Sequence, residues 1–337
     1  MIKKRDHSID IWKGLLVIFM VYCHVLQFFS APEYYKMGDI VINAANVITF
    51  HSFVFCFGMT CYIAYLSKPF DKVWKKMLRT ALRCYFAFVS SGLAYLVLVG
   101  NRIPGKYLIR DLMLLNEIPG WSEFLIAFAF FILIALIFFK AVNKLLENKK
   151  LFWIVTLLLF LSGFISYEQI KFNQVGLLIG TMNFPSFPVL QHMPFFLVGM
   201  YVVKYDIKFN WKILIGSFIL TSIGMVYILF FNNGKLPERF PPSIFWIILP
   251  SFFVYLYYLI CKKLDDTPFD FYISRSLGAN SLFYLVMSNI LIFSLEASRT
   301  MSIIGPFVGL VYTIIILIIC WLISGFTTRI ARKEKKI

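Results

Sequence analysis

Charged residues are scarce in this chain. Asp, Glu, Lys and Arg make up 15% of its 337 residues, against about 25% in a soluble domain, which excludes an ordinary water-soluble fold. No loop between apolar runs is long enough for a separate soluble domain, and neither a low-complexity tract nor an internal repeat is visible. The missing repeat argues against a carrier built from duplicated halves. The six cysteines lie in or beside apolar runs, without the spacing of a disulfide framework or a zinc site. They read as small core residues. The sequence holds no HExxH, no P-loop and no GxGxxG, so nucleotide hydrolysis and dinucleotide chemistry have no support.

What is present is apolar sequence, 60% of the chain, with 38 Phe. At roughly twenty apolar residues per span, the runs predict an all-α, polytopic transmembrane bundle of about ten helices. They fall near 9–29, 40–66, 80–100, 121–141, 151–167, 188–204, 212–231, 242–261, 277–296 and 302–327. Tyr107 to Ile118 reads as an interfacial or re-entrant helix. The whole chain, 1–337, reads as one transmembrane domain. The first run is too long for a signal peptide and is expected to be retained.

A net charge of +16 in a soluble protein would suggest nucleic acid. Here the basic residues sit in short connections, and topology accounts for them. With the N-terminus inside, inner segments carry roughly three times as many Lys and Arg as outer ones, alternating loop by loop. Both termini are therefore expected in the cytoplasm, in a multi-pass protein of the cell membrane without a nucleic-acid partner.

The first helix carries charge where a membrane helix should not. Asp10 and Lys13 are three apart and share a face, so they can pair. His24 lies eleven residues beyond Lys13, about 16 Å further along the axis. Ionisable groups at such depth face a protein interior or a watery cavity and are functional candidates. His51 falls near the midplane of the second helix, Glu123 opens the fourth, and His192 lies in the outer turns of the sixth. A neutral imidazole takes a proton from a hydroxyl and returns it to a leaving group, and a second His or Glu can hold its tautomer. The plainer reading of His51 and His192 is hydrogen bonding inside the bundle. His, His and Glu are zinc-compatible ligands, but no local pairing of them is present, and no metal is expected.

The inner side differs. Trp74-Lys75-Lys76-Met-Leu-Arg79-Thr-Ala-Leu-Arg83 leads into the third helix, with Arg79 and Arg83 four apart on one face. With Lys13 they offer cations to phosphates arriving from the cytoplasm. Positive-inside anchoring is the alternative; it accounts well for Lys68 to Lys76 and less well for Arg83.

Together these segments resemble the acyltransferase-3 family of integral-membrane acyltransferases. Asp10-Ile-Trp-Lys13-Gly-Leu-Leu followed by His24 is similar to its first-helix signature, in which an Arg is separated by ten residues from an essential His; Lys13 stands in for that Arg. Phe50-His51-Ser-Phe-Val-Phe-Cys-Phe-Gly58 resembles a Phe-His-Met-Pro-Leu-Phe-Phe…Ser-Gly segment. Arg79 and Arg83 match an Arg-rich start to the third helix, and Gly120-Trp121 a Leu-Trp-Phe-Leu segment. Phe195-Phe-Leu-Val-Gly199-Met resembles a later Phe-Phe-Leu-Gly-Met segment. Asn280-Ser-Leu-Phe-Tyr284-Leu-Val-Met287 is similar to a Ser…Tyr-Leu-Leu-His segment, with Met287 where His is usual. Lys13 keeps the charge of Arg but loses its bidentate fork.

The resemblance spans nearly the whole chain. It implies an O-acetyltransferase-like enzyme that uses cytoplasmic acetyl-CoA, or another acyl-CoA, to modify a cell-surface or lipid-linked glycan. His24 is then the general base or transient acyl carrier, with His51 or Glu123 orienting it. Lys13, Arg79 and Arg83 bind the donor, and Asp10 positions Lys13. The alternative is a transporter or flippase for an anionic or lipid-linked substrate, in which the same ionisable residues gate or relay protons.

Overall fold

The computed structural model describes residues 6–31, 35–165, 167–168, 170–298 and 305–334, which are largely helical and contain no β-strand. Residues 1–5 and 335–337, on which part of the charge count rests, lie outside the described residues.

Every apolar run became a helix, but not every helix is a span. Among the described residues seven helices are long and apolar enough to cross a membrane. These are α1 (Ser8–Phe29), α2 (Tyr35–Cys61, continued by a π-turn to Leu66), α3 (Phe70–Leu98), α10 (Trp211–Val226, continued to Phe231), the pair α11 (Ile244–Ile248) and α12 (Ser251–Asp265), α14 (Ser281–Ser298) and α15 (Pro306–Glu334). The shorter elements are α4 (Lys106–Met113), α5 (Glu123–Ile137), α6 (Phe139–Glu147), α7 (Lys149–Leu161), α8 (Asn173–Ile179), α9 (Val189–Lys204) and α13 (Tyr272–Ala279).

By length and apolarity the expected count of about ten is not reached: seven helices among the described residues qualify, or eight with the broken pair α5–α6. The predicted fourth span bends by 81° where α5 meets α6. Charge returns there: Lys140 and Lys144 are exposed on α6, while Phe139 and Leu146 are buried, the pattern of a helix lying at an interface. The predicted fifth and sixth spans became α7 and α9, of 13 and 16 residues. At 1.5 Å per residue these reach only about 20 and 24 Å, short of a hydrocarbon core of about 30 Å. The segment from Tyr107 forms the short α4, which buries Leu108 and Leu112 and exposes Lys106 and Arg110.

Short α9 is nonetheless central. It is buried on nearly every face and packs along α2 through a reciprocal glycine pair. A Cβ on Gly58 would lie 2.0 Å from the Phe196 carbonyl oxygen, and one on Gly199 2.1 Å from that of Phe55. Only small residues allow backbones this near. Gly14 and Gly278 do the same for α1 and α13, where a Cβ would meet the Ser274 and Asp10 carbonyls.

Two contacts set which ends of the bundle coincide. The His7 backbone N–H donates to Asp265 Oδ2 at 3.1 Å, and Asp6 pairs with Lys262. The start of α1 and the end of α12 thus lie on one face. His24 is carried toward the other.

Candidate active site

A cavity of about 300 Å³ opens beside the C-terminal half of α1. Its walls come from α1 (Met20, Cys23, His24, Gln27), α2 (Asn46, Thr49, Phe50, Phe53), the start of α5 and two loops that supply Phe187 and Arg239. Residues far apart in the chain meet here, with α1 packed on α2 along one side of the cavity.

His24 is the titratable base in this wall. Its Nδ1 lies 3.0 Å from Asn289 Oδ1. The Asn289 amide cannot be turned round, because its Nδ2 donates to the Trp121 carbonyl at 3.1 Å, which can only accept. Nδ2 also reaches Ser91 Oγ at 3.3 Å, and Ser91 is bonded to Ser122 Oγ at 3.0 Å. Asn289 Oδ1 is therefore the acceptor, and His24 Nδ1 carries the hydrogen. That leaves Nε2 with its lone pair, the form a general base needs. The Trp121 ring meets the imidazole edge-on at 5.0 Å and covers Phe28 at 4.5 Å. Trp121 holds φ at +69°, a left-handed conformation rare for a bulky residue, and strain of this kind clusters at functional sites.

Glu123 and Arg239 face the same space. Glu123 is buried at the start of α5, and its Oε2 has no hydrogen-bond partner. Arg239 comes from the loop between α10 and α11. Its guanidinium lies over the rings of Phe187 and Phe240, at 5.2 and 4.6 Å, and its buried Nε is unpartnered. The two charges lie within electrostatic range of one another without closing to an ion pair.

His51 does not line the cavity. It lies behind Phe50, whose ring stacks on Phe187 at 3.8 Å and meets His192 edge-on at 5.0 Å. The imidazoles of His51 and His192 are 5.0 Å apart. Each donates Nδ1–H to the carbonyl one turn back, Val47 at 3.1 Å and Pro188 at 2.7 Å, so each keeps a bare, buried Nε2 without a partner. The ring nitrogen of His24 is held by Asn289 and not by His51 or Glu123, which corrects the expectation that one of those two orients it. Sequence reasoning missed Asn289 and Arg239. The signal for Asn289 was available, since a buried polar amide on an apolar helix is held to the same cost argument as a charge.

At the far end of α1, Lys13 Nζ and Asp10 Oδ1 pair at 3.1 Å and are largely buried. Between them in sequence Trp12, fully buried, is clasped by Phe55, Tyr257 and Tyr258 at 5.4–6.2 Å. Arg79 and Arg83 are exposed on α3. None of these three cations lines the cavity. Among the described residues no group of three or more His, Cys, Asp or Glu is placed to hold a metal ion.

No curated protein and no solved structure matches the chain. A family model described as an acyltransferase domain matches residues 6–325, and so takes in α1 with its Lys13–His24 spacing, the cavity and Asn289. With a proton acceptor held ready in a cavity of a membrane bundle and this match over nearly its whole length, the chain belongs to the acyltransferase-3 family and is an acyltransferase.

Proposed function

We propose that this enzyme moves an acyl group, acetyl in the simplest case, from cytoplasmic acyl-CoA to a hydroxyl of a cell-surface or lipid-linked glycan, in the cell membrane with both termini inside, the broken pair α5–α6 counting as an eighth span. The observation that carries the reading is the hydrogen-bonded His24, whose tautomer leaves Nε2 basic inside a cavity near the end of α1 opposite Asp10 and Lys13. Base and cation are separated along one helix by about 16 Å, a reach that an extended pantetheine arm can cover. Lys13, held by Asp10, then contacts the donor from the inner side. Arg79 and Arg83, exposed on α3, meet its phosphates at the membrane surface, where guanidinium forks suit them.

In this scheme His24 Nε2 accepts the proton of the acceptor hydroxyl as that oxygen attacks the thioester carbonyl carbon. The thiolate leaves and takes the proton back from His24. Asn289 keeps Nδ1–H engaged throughout, so the ring does not rotate or change tautomer. Glu123 offers the acceptor a carboxyl oxygen with no protein partner of its own. His51 supports the wall behind Phe50.

The test is O-acylation of the surface glycan in cells carrying His24→Ala or His24→Gln at matched protein levels. Losing a general base lowers the rate by about 10²–10⁴, so modification should fall below detection. Unchanged modification would refute the assignment.

A further inference from the structure

Among the described residues Arg239 is the one formal cation in the cavity wall, and the scheme above leaves it without a task. Its surroundings are unusual for an outer-loop arginine. The guanidinium lies against the rings of Phe187 and Phe240, and its Nε is buried without an acceptor. A buried guanidinium N–H left unpaired is costly, and an arginine of purely structural use would be expected to find a carboxylate or carbonyl for it. Glu123 is near enough to balance the charge but does not close on it. The cavity thus holds a cation whose hydrogen-bonding capacity is unspent.

We infer that Arg239 is the oxyanion-stabilising residue of the acyl transfer, donating to the carbonyl oxygen of the acyl thioester as negative charge develops on it. The inference rests on the acyl-transfer reading of this cavity. When the acceptor oxygen bonds to the carbonyl carbon, the C=O π pair moves to oxygen, and the guanidinium beside it compensates that charge. As the carbonyl reforms, the C–S bond breaks, and the thiolate is protonated by His24. The balance of charge favours this role over holding a permanently anionic acceptor. Glu123 lies within electrostatic range of Arg239, and among the described residues the cavity offers no second cation for a standing anion. Charge that exists only in the transition state meets a donor already in place.

The experiment uses the full-length protein in lipid nanodiscs, acetyl-CoA as donor and N-acetylglucosamine as probe acceptor, with release of CoA as the readout. Arg239→Met should lower kcat by about 10²–10³-fold, with KM for both substrates within about threefold, the mark of an interaction made only in the transition state. Arg239→Lys, which keeps the charge and loses the fork, should fall between Met and wild type. Thermal midpoints show whether each variant is folded. If Arg239→Met is not, the Lys variant decides, and a wild-type kcat there overturns the inference. An unchanged kcat in folded Arg239→Met overturns it too, as does a raised acceptor KM with kcat intact, which would make Arg239 a ground-state anion site. CoA release lost in His24→Ala but unaffected by Arg239→Met leaves the acyl-transfer reading standing and removes this one. No CoA release by wild type overturns both.

Discussion

Asn289 reaches across 265 positions of sequence to hold His24 Nδ1 at 3.0 Å, and it does so with an amide whose other end is committed to the Trp121 carbonyl. One side chain thereby joins α14, α1 and the turn before α5, and decides which imidazole nitrogen is basic. Replacing it separates orientation from mere presence of the base. Asn289→Leu should lower kcat by roughly 10–100-fold, the size seen when a ligand or base loses its orienting partner. Asn289→Asp keeps an acceptor for Nδ1–H but adds a negative charge, which favours the imidazolium. The acid limb of its pH–rate profile should therefore move to higher pH. Wild-type profiles in both variants would show that the bond to Asn289 does not set the tautomer.

His51 gives the opposite expectation. It is separated from the cavity by Phe50, and its Nδ1–H is already used by Val47. His51→Ala is expected to leave kcat within about tenfold while lowering stability by about 2–5 kcal/mol, the range for emptying a buried site. His24→Ala should show the reverse, with a near-normal melting midpoint and no turnover. A dead but fully stable His51→Ala protein would return this residue to the catalytic machinery.

The reciprocal glycines predict a sharp contrast between sites. Gly58→Ala and Gly199→Ala each place a methyl about 2 Å from a backbone carbonyl oxygen of the facing helix, and neither carbonyl can rotate away. Overpacking of this kind costs about 1–3 kcal/mol, occasionally more. Gly216→Ala and Gly325→Ala meet open space and gain helix propensity of up to about 1 kcal/mol. Thermal midpoints in detergent should fall for the first pair and hold or rise for the second; equal behaviour of all four would contradict the close contact of α2 with α9.

Acid should weaken the tie between the start of α1 and the end of α12. Burial pushes the Asp6 carboxyl upward, but Lys262 and the Ser8 hydroxyl and backbone N–H outweigh it and hold the group below the usual carboxylate range. A depressed folded-state value stabilises the fold above the unfolded-chain value of about 3.9, and this contribution is lost as pH falls through the lower, folded value. Asp6→Asn should therefore melt earlier than wild type at pH 6, with the difference shrinking as pH falls below the unfolded-chain value and through the lower, folded one. A constant difference across that range would mean that charge at Asp6 contributes nothing.

Much of the organisation was legible because it runs along one axis. Apolar length located the long helices but not α8 or α13, which fall in segments that read as connections, and a three-residue spacing foretold the Asp10–Lys13 pair. The eleven residues from Lys13 to His24 placed base and cation at different depths. Span number was less legible. Helices α5, α7 and α9 are as apolar as true spans: in α5 and α9 burial inside protein selects the same residues as burial in lipid, while α7 exposes most of its apolar side chains. Only their length and the 81° bend tell them apart from spans.

What the chain alone determined, then, is depth: which charges and histidines lie far along which helix, and in what order. Tertiary structure decided azimuth and company. His24 faces the cavity and His51 faces His192 because of how each helix is rotated about its own axis, and in α2 that rotation is set by the Gly58–Gly199 contact with α9. Asn289 and Arg239 joined the site from segments that read as an apolar run and an outer-loop charge. No local spacing links them to His24, since contacts between elements hundreds of residues apart depend on how the helices pack against one another.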